Sequence, residues 1–70
     1  MSNTITKLIY DQYGIPGLIM YEKHSENFED LMQEIVGLDG LPEIYKDSGF
    51  EQRRREIEYQ ILRKANNYLK

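Results

Sequence analysis

Apolar positions recur along this chain in two rhythms. Residues 5–13 run Ile5-Thr6-Lys7-Leu8-Ile9-Tyr10-Asp11-Gln12-Tyr13, and residues 18–23 run Leu18-Ile19-Met20-Tyr21-Glu22-Lys23. Both stretches are rich in β-branched and aromatic side chains, which suit a pleated, half-covered surface. Between them lies Gly14-Ile15-Pro16-Gly17. Pro16 presets φ for the second position of a type II turn, and Gly17 accepts the positive φ required at the third. The pattern predicts a β-hairpin over about residues 5–23. A helix competes for the same residues, because Ile5, Leu8, Ile9 and Tyr13 also fall at helical spacing behind caps at Ser2 to Thr4, with Gly14 to close it.

The second rhythm is helical. Phe28, Leu31, Met32, Ile35 and Val36 run i, i+3, i+4, i+7, i+8, which predicts a helix over about 26–36 capped by Ser25 or Asn27 and ended by a left-handed Gly37. Its other face, Glu26, Glu29, Asp30 and Glu34, is wholly acidic. A connector over 37–49 carries turn signals at Asp39-Gly40 and Ser48-Gly49, with Pro42 as the first residue of a short helical turn bearing Ile44 and Tyr45. Ser48-Gly49-Phe50-Glu51 then has the spacing of a capping box. A helix over about 50–69 follows, with Ile57, Ile61, Leu62, Ala65, Tyr68 and Leu69 as its apolar stripe. The order predicts one small α+β domain over 1–70, ββαα, with the hairpin packed on the apolar faces of both helices. An all-α domain of three or four helices is the alternative.

Composition narrows the functional classes. A chain of 70 residues with no Cys and 40% apolar residues supports one thin core without a covalent staple, so self-association is one way to complete it. Missing thiols exclude a disulfide framework and a thiolate metal site, and His24 is the only histidine. Neither a secretory leader nor a run of about 18 apolar residues is present, so a cytoplasmic location off the membrane is expected. No metal, cofactor or catalytic residue is expected: no nucleophile–base pair can be proposed from spacing, and Gly14-x-x-Gly17 carries Pro where a phosphate loop presents N–H groups.

Charge is divided along the chain. Residues 1–49 hold three Lys against nine acids, a net −6, whereas residues 50–70 hold six basic residues against three acids, a net +3. The run Arg53-Arg54-Arg55 is the most conspicuous basic feature of that segment. Helical rotation splays the three guanidinium groups over about 200°, and Glu51, Glu56 and Glu58 stand at ion-pairing distances along the helix, so a solvated ion-pair network is expected. One detail points further. The apolar stripe extrapolates back through positions 53 and 54 to Phe50, so arginine stands where core residues would continue. An anionic group is expected opposite, and the nearest is the acidic face of Glu26, Glu29, Asp30 and Glu34, met within the chain or across a dimer. An external acidic partner or a phosphate is the alternative.

Six Tyr against two Phe and no Trp favour half-wet surfaces. Tyr10, Tyr13 and Tyr21 would lie close together on the hairpin. The expectation is therefore a protein-binding module, a small regulator or inhibitor of a larger protein and a candidate homodimer, with Tyr10, Tyr13, Tyr21, the four acids and Arg53 to Arg55 as partner-binding residues. Small acidic proteins of mobile elements offer an analogy in size and charge. The alternative is nucleic-acid binding through Arg53, Arg54, Arg55, Arg63 and Lys64, which an overall charge of −3 opposes.

Overall fold

The computed structural model describes residues 4–70. The elements are α1 (Thr4–Lys23), a 3₁₀ turn (Ser25–Phe28), α2 (Glu29–Asp39), a second 3₁₀ turn (Glu43–Tyr45) and α3 (Ser48–Leu69). No strand occurs among the described residues, so the domain is all-α and the hairpin and the α+β class are overturned.

Residues 5–13 are helical because Ile5, Ile9 and Tyr13 share one side when read at every fourth residue. Ile5 and Ile9 are completely buried, and Leu8 and Tyr13 pack beside them. Local β propensity is worth little against that burial, which contributes about 2 kcal/mol per isoleucine. The expected turn residues do a different job here. Gly14 takes φ 71° and ψ −152°, which stops the first arm of α1 at residue 13. Ile15 and Pro16 open a second arm over 15–23, where proline's missing N–H falls in a first turn that has no acceptor for it. Caps proposed at Ser2 and Asn3 lie outside the described residues.

Gly17 fixes the angle between the arms. In a straight helix residues 9 and 17 would stand about 12 Å apart along the axis. Here a Cβ added to Gly17 would lie 2.8 Å from Ile9 Cγ2 and 2.7 Å from Tyr13 Cβ, so the second arm folds back onto the first. That approach lets Ile5, Ile9 and Met20, from both arms, enter one core with Phe28, Ile35, Ile57, Ile61 and Ala65. The shared element is α3, against which both α1 and α2 pack.

Three smaller expectations also change. Gly37 is an interior residue of α2 with no positive φ, and the helix runs on to Asp39, where the N–H of Gly40 donates to the Val36 carbonyl at 3.0 Å. Neither Ser25 nor Asn27 caps α2, which instead continues from the 3₁₀ turn, and Val36 is 61% exposed rather than part of the core. The start of α3 is capped by Asp47, whose Oδ1 accepts from the Phe50 N–H at 3.0 Å, in place of the Ser48 box. Pro42 stands just before the 3₁₀ turn of Ile44 and Tyr45.

Candidate interaction surfaces

The basic start of α3 separates into two sets of arginines. Arg53 and Arg54 point to α2. Arg53 Nη2 donates to Glu34 Oε2 at 3.1 Å, and its Nη1 lies 3.6 Å from Glu56 Oε2. Arg54 grips Asp39 with two nitrogens, Nε to Oδ1 at 2.9 Å and Nη2 to Oδ2 at 3.4 Å, and its third nitrogen meets Glu58. Hydrogen bonding to Asp39 is the main cause that holds the Arg54 guanidinium above its ordinary pKa, partly opposed by burial, with the charges of Asp39 and Glu58 adding to it. The two arginines interrupting the apolar stripe therefore meet acids within the chain. Only Glu34 of the expected acidic face supplies one of them. Asp39 supplies the other because α2 runs past Gly37, a point its sequence pattern did not reveal.

Arg55 points elsewhere. With Gln52, Glu56, Tyr59, Gln60 and Arg63 it lines a shallow concavity of about 590 Å³ on the outer face of α3. Arg55, Tyr59 and Arg63 follow one another at four-residue intervals, so they form a gently slanting line on that face. All three are exposed, Tyr59 by 67%, and no ion pair is formed by Arg55 or Arg63 among the described residues. A second shallow hollow continues beside the line between Gln12, Tyr13, Leu62 and Asn66. Tyr59 was not among the expected contact residues, although the Arg-x-x-x-Tyr-x-x-x-Arg spacing of Arg55, Tyr59 and Arg63 is legible in the sequence.

The three tyrosines expected to share a sheet face are dispersed by the helical fold. Tyr13 donates its hydroxyl to the Leu62 carbonyl at 3.0 Å and ties the first arm to α3. Tyr21 packs on Phe28 at 5.4 Å between ring centroids and donates to Met32 Sδ at 3.7 Å. Tyr10 is half exposed. His24, at the end of α1, stacks on Tyr68 at 4.1 Å, and Asn27 donates to the Tyr68 hydroxyl at 2.7 Å. Lys64 donates to the Asn27 carbonyl at 2.5 Å and lies 5.7 Å from the centre of the Phe28 ring. These contacts close the end of the domain where α3 finishes. Glu26, Glu29 and Asp30 are exposed and form no ion pair among the described residues.

Large apolar side chains also reach solvent. Ile15 and Ile19, one turn apart on the second arm of α1, are 57% and 61% exposed. Val36, Leu41, Ile44 and Tyr45 are exposed around the α2–α3 connection, beside a shallow groove lined by Gly37, Leu38, Arg53 and Ile57. Among the described residues no group of three or more His, Cys, Asp or Glu is arranged to hold a metal ion, and no helix is long and apolar enough to cross a membrane. Compared with protein-family models, curated proteins and solved structures, the chain matches none of them.

Proposed function

We propose that this protein is a protein-binding module, a small regulator or inhibitor of a larger protein, whose contact surface is the outer face of α3. The observation that carries this reading is the line Arg55, Tyr59, Arg63, which stands outside the ion-pair net that engages Arg53 and Arg54. Tyrosine and arginine dominate the binding energy of protein interfaces, because a broad ring and a forked cation gain much from contact at low cost in chain ordering. Here both residue types lie on one rigid helix, so docking would order only their side chains.

The test compares proteins retained by the immobilised wild type with those retained by Tyr59→Ala, each verified as folded by circular dichroism. The variant is expected to lose a specific partner at physiological salt. An unchanged retained set would exclude α3's outer face as the contact surface. Self-association is a second reading, supported by the adjacent exposed Ile15 and Ile19. It predicts a dimer by light scattering that Ile15→Ser with Ile19→Ser converts to monomer; a monomeric wild type at about 100 μM, well above the micromolar range of ordinary specific contacts, removes it.

A further inference from the structure

We propose that the outer face of α3 receives an acidic segment of a protein partner, with two carboxylates about 12 Å apart and an apolar side chain between them over the Tyr59 ring, a choice of partner that rests on this face being the contact surface. The spacing comes from the helix: Arg55 and Arg63 are eight residues apart, and at 1.5 Å per residue their Cα atoms are separated by about 12 Å along the axis. Tyr59 lies midway. Carboxylates seven or eight residues apart on a partner helix match this interval, as do two separated by four residues in an extended segment.

The charges around the line are those of an acceptor for anions. Positions one turn from Arg63 hold Tyr59, Gln60, Asn66 and Asn67, none of them charged. Its neighbour Lys64 is directed away to the Asn27 carbonyl. Around Arg55 the acids are Glu51, Glu56 and Glu58; Glu56 lies against Arg53 and Glu58 against Arg54. Glu51 is exposed and forms no ion pair among the described residues. An incoming carboxylate thus meets two cations whose local acids are absent or mostly engaged, and bidentate pairing with guanidinium gives the contact both strength and direction.

Other occupants fit the face less well. Two copies joined antiparallel through α3 about a two-fold axis would set arginine against arginine at both ends of the line, with like charges in contact. A nucleic acid presents charge at every nucleotide and extends beyond two arginines onto Glu51 and Glu56, on a protein of net charge −3. A short segment with two local carboxylates avoids most of that repulsion.

The probe is a synthetic helical peptide with Glu at two positions eight residues apart and Leu midway, titrated into ¹⁵N-labelled full-length protein at low salt. Its counterpart has both Glu replaced by Gln, and a 15-nucleotide oligothymidine serves as the polyanion. Saturable shifts of the amides of residues 52–63 are expected with the Glu peptide. Affinity should fall about tenfold or more for the Gln peptide, for Arg55→Gln with Arg63→Gln, and for Tyr59→Ala, the scale of an interface hot spot. Absence of saturation at about 1 mM, a weak-binding limit, overturns the proposal. So does equal binding of the Gln peptide or tighter binding of the oligonucleotide. If Tyr59→Ala removes a captured partner while the double arginine variant retains it, the contact surface stands and the acidic requirement falls.

Discussion

Helices α1 and α3 have nearly the same length, 20 and 22 residues, yet they are held in place by different means. In α3 the local sequence supplies a start at Asp47, an uninterrupted course, and a buried line of Ile57, Ile61 and Ala65 at four-residue spacing. In α1 the local sequence supplies interruptions: Gly14, Pro16 and Gly17 fall within seven residues of its middle, and its buried residues come from two arms at an angle. One helix would be drawn in the same place from its own residues. The other takes its course from a backbone break and a close contact between its arms, so a helix with little local support is stabilised by what it touches.

The strongest way to break this contrast is Gly17→Ala. The new methyl would overlap Tyr13 Cβ and Ile9 Cγ2, which are too close to their own backbones to move away freely. A loss of about 3 kcal/mol is expected, near the upper end for overpacking, with thermal midpoint lowered by more than about 10 °C. A change below about 0.5 kcal/mol in a denaturant titration would mean that the arms are not held together at that contact.

Gly14→Ala addresses the break itself. At φ 71° with ψ near −150° a side chain is strained, and a cost of about 2 kcal/mol is expected. Urea unfolding measures it. A stabilised variant would instead show that residues 5–23 prefer a straight helix.

The corresponding change in α3 is smaller because it removes only a cap. Asp47→Ala should cost about 1 kcal/mol, while Ser48→Ala should be close to neutral. The reverse order by chemical denaturation would restore the Ser48 capping box. Smaller than the loss for Asp47→Ala is that expected for Arg54→Gln. Its pairs with Asp39 and Glu58 lie near the surface, so about 0.5–1 kcal/mol is expected, and the difference from wild type should shrink as salt rises. Salt-independent loss would assign the effect to packing of the arginine stem.

Much of α2 and α3 was legible. Phe28, Ile35, Ile57, Ile61 and Ala65 stand at helical intervals among polar residues, and all five are buried. The first third was not, because Gly-Ile-Pro-Gly satisfies two geometries: Pro then Gly at the centre of a type II turn, or a glycine stop followed by a proline start between two helices. Tyr and Ile nearby lean to strand, and only burial of Ile5 with Ile9 separates the choices. At the basic segment, the local pairs of Arg53 with Glu56 and Arg54 with Glu58 followed from spacing, and an acidic group opposite was expected. That Glu34 and Asp39 supply it depends on how far α2 extends and how it lies on α3. Tyr59 carries no signal of its own in the sequence, and its place between two arginines outside the ion-pair net follows only from the way Arg53 and Arg54 engage α2.

Short-range features were therefore written in the residues: that a long helix fills the last third of the chain, which of its positions turn inward, and that arginine stands where its apolar stripe would continue. They depend on hydrogen bonds and rotations spanning three or four residues, which chain connectivity already dictates. The direction taken after Gly14, the approach of Gly17 to Ile9, and the division between arginines facing α2 and arginines facing outward arise from residues far apart along the chain or from arms set at an angle. Their outcome rests on packing, since a glycine that permits a bend does not say which way it goes, and an arginine finds its carboxylate only after two helices have come together.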